Sequence, residues 1–462
     1  MLEKADLVVR NARVFVDGGL IHGGLAAKNG KIVAIGADES LPEAFKTIDA
    51  ANKLLLPGIV DTHVHVRDPG HIERGTFDTE TKALAHGGIT TFMEHPISVP
   101  PPYSPEILEK RIERAKPRCF VDYAFFGAAG SEYPEEAQRV ADAGIVAFKT
   151  FLHQAPEGRE KEFVGLTMPN DAGIMDGFEA VAKTGVILTV HAENNDMIQR
   201  MIKKFRAEGK VGWDAHCPSR PKLAEIECVQ KLVLIAKETG VRLAIAHTTC
   251  PEAMEIVKRA KKEGQEVYLE TCPHYLFLNE SMLLKYGPYA KCNPPLRSEE
   301  DRKALWNYIN DGTVDYIGSD HGPFLKSEKE KGNKDIFTAA AGLANAELTL
   351  PLMLTAVRDG KLTLARMVEL ISSNAARIFK LEGKGHLKPG YDADFVIADT
   401  DSTFTVDHNH FMTKARDIAG IYDGFELTGR PVLTAVRGRV VCENDKIDES
   451  AMGWGKLMLI KR

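Results

Sequence analysis

The sequence predicts an α/β protein, a (β/α)8 TIM-like barrel with a small β-sandwich module formed by the N- and C-terminal segments. Three observations predict it. Eight short apolar runs alternate with longer stretches of helical composition, the pattern of βα units around a parallel sheet. Five of these runs lead into residues able to bind a metal, and barrel active sites lie at the C-terminal ends of strands. Both ends of the 462-residue chain also carry short alternating β-type stretches separated by Gly and Asn turn residues.

Residues 6 to about 50 hold such stretches, among them Leu7 to Val9 and Lys31 to Ile35, and read as part of a small sheet. The eight apolar runs follow: Leu54 to Val64, Ile89 to Met93, Phe120 to Phe126, Ile145 to Phe148, Val186 to Val190, Val241 to Ala246, Glu266 to Leu269 and Val314 to Ile317. Eight strands suit a closed barrel better than an open doubly wound sheet, which more often has about five or six. The polar stretch Lys326 to Lys334 reads as a solvated loop. Strand texture returns at Asp394 to Ile397 and Pro431 to Val441. The expected division is 1–53 for the N-terminal part of the small module, 54–385 for the barrel, and 386–462 for the C-terminal part of the module plus a tail.

Bulk properties narrow the function. A hydrophobic fraction of 44% with 27% charged residues is ordinary for a globular protein. No apolar run reaches the ~18 residues that a membrane span needs. A formal charge of -6 argues against a nucleic-acid binder, which would carry a basic face, so a small-molecule partner is expected. The first residues lack a basic segment followed by a long apolar core, which makes a cytoplasmic location the expectation. Seven scattered cysteines without a Cys-x-x-Cys pair fit free thiols, with Cys250 and Cys272 as packing residues.

The chemistry lies at the ends of the runs. The first leads into His63-Val64-His65, and strand alternation puts both imidazoles on one face, where they can chelate one ion. The fourth leads into Lys149, the fifth into His191, the sixth into His247 and the eighth on to Asp320. None of these residues is diagnostic alone; four histidines and an aspartate in equivalent positions point to a metal site. Lys149 is the odd member, because an ammonium repels a metal. Burial lowers a lysine pKa, and the neutral amine can add carbon dioxide to become an anionic carbamate, N6-carboxylysine, able to bridge two ions. Such a pair would sit roughly 3.5–4 Å apart.

From about Leu54 to Asp394 the chain resembles the cyclic amidohydrolases of the amidohydrolase superfamily, the group of hydantoinases, dihydropyrimidinases, allantoinases and dihydroorotases. The resembling stretches are PGIVDTHVHVRDPG, GGITTF, AFKTF, VHAEN, ETCPHYL, the Pro-Pro-Leu-Arg of CNPPLRS, GSDHGPF and KPGYDADFVI. The resemblance implies that His63, His65 and Asp320 bind the more buried ion, that His191 and His247 bind the other, and that carboxylated Lys149 bridges them. It implies a hydroxide between the ions and gives Asp320 the proton-transferring role. Mixed histidine, carboxylate and carbamate ligation suits zinc, with manganese, cobalt or iron as alternatives. A homotetramer or homodimer is also implied.

Arg67 resembles the arginine that binds substrate carboxylate in dihydroorotases, and a guanidinium suits that task. Yet His95-Pro96-Ile97 stands where dihydroorotases have Met-Pro-Asn, and Phe324 where they have a second histidine. The segment EHPISVPPP is similar to those of hydantoinases and allantoinases. The expected reaction is therefore hydrolysis of the cyclic amide C–N bond of a hydantoin-like ring, of hydantoin or allantoin type, to a ring-opened carbamoyl or ureido acid. Arg67 is then either a substrate ligand or part of a structural ion pair with Asp68 or Glu73. His95 is expected to line the pocket, and Phe151, Leu152, His153 and Phe324 are expected near the substrate. The alternatives are a dihydroorotase of pyrimidine synthesis and a non-catalytic dihydropyrimidinase-like scaffold, against which the retention of all six ligands speaks.

Overall fold

The computed structural model describes residues 4–156 and 158–460. Eight strands run in chain order around a parallel sheet: β1 (Ile59–Val64), β2 (Ile89–Glu94), β3 (Asp122–Ala128), β4 (Ala147–Phe151), β5 (Leu188–His191), β6 (Leu243–Ile245), β7 (Val267–Thr271) and β8 (Tyr316–Ile317). The sheet closes beyond β8. His321 forms a parallel bridge with Val64, receives the His65 amide at 2.8 Å and donates to the His63 carbonyl at 3.2 Å.

Several runs are offset from the strands they mark. The third is expected at Phe120 to Phe126, whereas β3 is Asp122–Ala128. The fourth is expected to end at Phe148, whereas β4 continues to Phe151, so Lys149 lies inside a strand. Apolar runs report burial, and chain approaching a strand is buried as thoroughly as the strand itself. The first run is two strands that part at Gly58. Leu54–Pro57 pairs with Arg13–Val14 and with Phe395–Ala398, and only Ile59–Val64 enters the barrel. Inside the barrel Met93, Ala124, Phe126, Ala147, Ala244 and Tyr316 pack with Phe379 into a solid floor.

The chain ends do share one nine-stranded mixed sheet, built from Ala5–Val16, Gly19–Lys28, Lys31–Gly36, Ala44–Asp49, Leu54–Pro57, Phe395–Thr405, Glu426–Val436, Arg439–Glu443 and Lys446–Ile447. Its core joins Leu7, Val9, Val14 and Leu25 from the N-terminal segment to Phe395, Ile397 and Leu433 from the C-terminal one. Neither segment encloses that core alone. The sheet is welded to the barrel by a buried charge cluster. Lys384 donates to Asp122 at the start of β3 and, at 2.6 Å, to Asp394, while Arg437 pairs with the other oxygen of Asp122.

The stretch Lys326 to Lys334 departs from the solvated loop expected of it. It forms a helix, Lys326–Glu330, and a 3-10 turn; Lys329 is fully buried and Glu328 pairs with Arg74. A local charge run cannot reveal a carbonyl or guanidinium supplied from elsewhere in the chain. All seven cysteines are free and buried, as expected, and burial pushes the Cys250 and Cys272 thiols up. Among the described residues no helix is long and apolar enough to cross a membrane.

Two outcomes follow from these contacts. Lys384→Met leaves Asp122, Asp392 and Asp394 buried around a missing cation and should destabilise the fold by about 3–5 kcal/mol in chemical denaturation. His86, at the end of helix Phe77–His86, bonds to Glu347 through Nδ1 and lies 3.1 Å from Asp445 through Nε2. Burial opposes its charge, but the two carboxylates prevail and hold its pKa above the ordinary value. A raised folded-state pKa stabilises fully below the unfolded value of about 6.5, and that contribution is lost as pH rises through the folded pKa. His86→Gln should therefore cost most near pH ~6 and progressively less toward pH ~9.

Candidate metal centre

Strand ends deliver all six expected ligands to one cavity at the C-terminal mouth of the barrel: His63, His65, Lys149, His191, His247 and Asp320. His63 closes the inward face of β1 and His65 follows just beyond it, with ring centroids 5.3 Å apart. Nε2 of His63 and of His65 lie 3.3 and 3.5 Å from Oδ1 of Asp320, which converges on them from beyond β8. His191 ends β5 and His247 follows β6; Nδ1 of the first faces Nε2 of the second at 3.1 Å. Lys149 rises between the two groups from β4, and its buried Nζ has no hydrogen-bond partner among the described residues.

Two glutamates set which ring nitrogens face inward. Glu270, at the end of β7, accepts from Nδ1 of His63 at 3.0 Å, leaving Nε2 toward Asp320. Glu193 accepts from Nε2 of His191 at 2.7 Å, leaving Nδ1 toward His247, and is itself held by Arg220 at 2.9 Å. A carboxylate behind a histidine fixes its tautomer and ring plane and raises its basicity as a ligand. Gly318 makes room for this pairing, because a Cβ there would lie 2.1 Å from Oε1 of Glu270 and 2.7 Å from Cβ of His63.

Burial is the first cause of the charge shifts of the six ligand-type residues. It holds the His63, His65 and His247 pKa values well below the ordinary one and lowers His191 too, although Glu193 opposes it there, so the imidazoles are neutral and their lone pairs free. It pulls the Lys149 amine down against the attraction of Glu270 and Asp320. It pushes Asp320 up against the nearby Lys149 charge. Neutral imidazoles and a carboxylate, with a lysine amine between them, form a donor set that fits divalent ions. Strain gathers here as well: Arg67, His247 and Asp320 have φ of 71°, 36° and 48°. Non-glycine residues in that region persist where surrounding structure over-determines them, commonly at functional sites.

Other expected residues divide. Arg67, His153 and Phe324 line the cavity. Arg67 pairs with neither suggested partner, since Asp68 pairs with Arg114 and Glu73 with His71. Its guanidinium stacks 4.7 Å over Phe324, and among the described residues its buried Nε and Nη1 have no hydrogen-bond partner. Leu152 does not line this cavity. Phe151 shares the inward face of β4 with Lys149, and the next residue turns away to pack beside Met168. His95 is not pocket lining either. It is stacked beneath His63, centroids 3.7 Å apart and 13° from parallel, and its Nε2 donates to the Thr62 carbonyl at 3.0 Å.

Sequence reasoning missed Glu270, Glu193, Arg159 and Asn293. An acid ending the otherwise apolar VYLE and another two residues after His191 were readable hints of buried carboxylates. Arg159 and Asn293 come from loops with no periodic pattern and reach the cavity only through the tertiary fold.

Fold and site together are those of a metal-dependent barrel hydrolase. The chain belongs to the amidohydrolase family, whose profile matches residues 54–441. It is similar to an L-hydantoinase of Paenarthrobacter aurescens, 36% identical over 445 residues that cover 96% of this chain and 95% of that protein. An allantoinase of Bacillus licheniformis is 32% identical over 453 residues, covering 96% and 97%. Among solved structures, the L-hydantoinase (dihydropyrimidinase) from Arthrobacter aurescens superposes with a TM-score of 0.93 at 36% identity, over 99% of this chain and 100% of that one.

Glu270→Gln should lower affinity for the divalent ion about 10–100-fold, read by competition with a chelator, because Nδ1 of His63 loses its anionic partner.

Proposed function

We propose that the chain hydrolyses the cyclic amide C–N bond of a hydantoin-like ring, of hydantoin or allantoin type, to a ring-opened carbamoyl or ureido acid. The observation that carries this reading is the convergence of all six ligand-type residues in one cavity of a chain that is alike over its full length to an L-hydantoinase. His63, His65 and Asp320 would hold one ion and His191 and His247 the other, with N6-carboxylated Lys149 shared between them. The donor set suits zinc. When bound, such ions polarise a carbonyl and lower the pKa of water.

The chain's own residues have separable tasks. Asp320 turns Oδ1 toward His63 and His65, so Oδ2 is the oxygen left to carry a proton from the attacking water to the leaving ring nitrogen. Water thus adds across the bond, oxygen to the carbonyl carbon and hydrogen to nitrogen. Arg67 offers the unspent N–H groups of two nitrogens, Nε and Nη1, to a ring oxygen or an anionic substituent. His153 donates Nδ1–H to the Gln154 carbonyl at 2.7 Å, leaving Nε2 as an acceptor for a ring N–H. Phe324, gripped between Arg67 and Arg159, forms an apolar wall.

The unspent donors of Arg67 also favour a second reading, a dihydroorotase. Assaying metal-loaded protein against hydantoins of both hands, allantoin, dihydrouracil and dihydroorotate separates the two. Turnover of dihydroorotate alone would replace the first reading, and turnover of none would sink both. We propose further that the chain assembles as a homodimer or homotetramer in the cytoplasm; a light-scattering mass of 50.9 kDa, that of one chain, would contradict the assembly.

Asp320→Asn should reduce kcat by at least about 10²-fold. Chelation should abolish hydrolysis, and zinc with bicarbonate should restore it in the unmodified chain but not in Lys149→Met, as read by metal content together with activity.

A further inference from the structure

Lys291 lies outside the metal-binding set and is 5% exposed. Among the described residues no carboxylate pairs with it. Its side chain donates instead to three main-chain carbonyls, those of Ile336 at 2.8 Å, Phe337 at 3.3 Å and Ala339 at 2.7 Å. Burial and the charges of Arg220 and Lys329 push its pKa down, yet three acceptors need three N–H donors, which only the ammonium supplies. The carbonyl of the same residue accepts the Gly342 amide at 3.0 Å and a hydrogen bond from Nζ of the buried Lys329 at 2.9 Å. One residue thus holds the segment 336–342 at its start through its side chain and at its end through its backbone. Among the described residues, the other main-chain ties of this segment to distant chain are Ile336 to Val211 at 3.0 Å and Ala340 to Glu328 at 3.2 Å.

What the segment presents explains why its position matters. Ala341 and Gly342 line the cavity, and so does Asn293, two residues beyond Lys291. Gly342 lies against Phe324 so closely that a Cβ would come 2.8 Å from its ring, and the Gly322 amide donates to the Leu343 carbonyl at 2.8 Å. Lys291 thus stands two residues from Asn293 and holds Gly342, on which the Gly322–Phe324 stretch of the rim packs.

We propose that Lys291 is a positioning residue that sets the rim segment 336–342 against the substrate, and so governs substrate affinity while leaving the reacting groups untouched. This rests on reading the cavity as the substrate cavity. Lys291→Met keeps the length of the side chain and removes its three donors. With a ring that the unmodified enzyme hydrolyses, the variant should raise KM about tenfold, keep kcat within about twofold and retain its metal, the pattern of lost binding shared by ground and transition states. Amide hydrogen exchange across 336–342 should quicken while exchange in β1 and β5 stays unchanged. An unaltered KM, or a fall in kcat and metal content at constant KM, overturns the proposal. Should Lys291→Met fail to fold, Lys329→Met removes one donor to the Lys291 carbonyl and should raise KM in the same direction but less; no rise overturns it equally. If the unmodified enzyme opens no ring, the proposed function fails, whereas unchanged exchange in Lys291→Met sinks the rim clip itself.

Discussion

The bridge between Val64 and His321 joins the first barrel strand to the chain that leaves the last, and the site depends on it. In an open sheet, β1 and β8 would be opposite edges, with His63 and His65 on one and Asp320 on the other. Closure brings Oδ1 of Asp320 to 3.3 and 3.5 Å from the two histidines. It also aligns Glu270 of β7 behind His63, in a gap that only glycine at 318 leaves open. Parallel hydrogen bonding around the ring puts every strand's C-terminal end on the same rim, which is why residues scattered over more than 250 positions share one cavity.

Within that cavity burial does most of the electrostatic tuning. A polar group taken from water without a partner is costly, and the site holds several: Lys149 Nζ, His65 Nδ1, His247 Nδ1 and two nitrogens of Arg67. At other places buried charge is neutralised at once, where Lys384 meets three aspartates and where Arg111 meets Glu94. The contrast separates charge that holds the fold together from charge kept available for a ligand. Lys291 belongs to neither group, since its ammonium is satisfied by carbonyl dipoles alone and its work is to hold one piece of chain against another.

The outer ring of the cavity is where relatives of similar fold can differ. Phe324 lies within reach of three guanidiniums, Arg67, Arg74 and Arg159; Glu162, on a 3-10 turn, pairs with Arg74 and Arg159, and Glu328, on the helix Lys326–Glu330, pairs with Arg74. Loops on a rigid scaffold can exchange such residues without disturbing the strands that carry the metal-type ligands.

By itself the sequence determined the parallel barrel, the terminal sheet shared by both chain ends, and the strand-end placement of His63, His65, His191, His247 and Asp320. These are periodic or local properties: alternation fixes which face a strand residue takes, and an apolar run announces a buried strand. Lys149 was legible as out of place, because a lysine in a buried strand conflicts with its own charge. Only the tertiary structure decided the partners. That Glu270 stands behind His63, that His95 lies beneath the same ring, that Leu152 turns away, and that Arg67 is left unpaired while its neighbours Asp68 and Glu73 are taken by Arg114 and His71 all depend on contacts between distant segments. Side chains meet through space once the barrel closes, and no local pattern encodes the length of chain that loops between them.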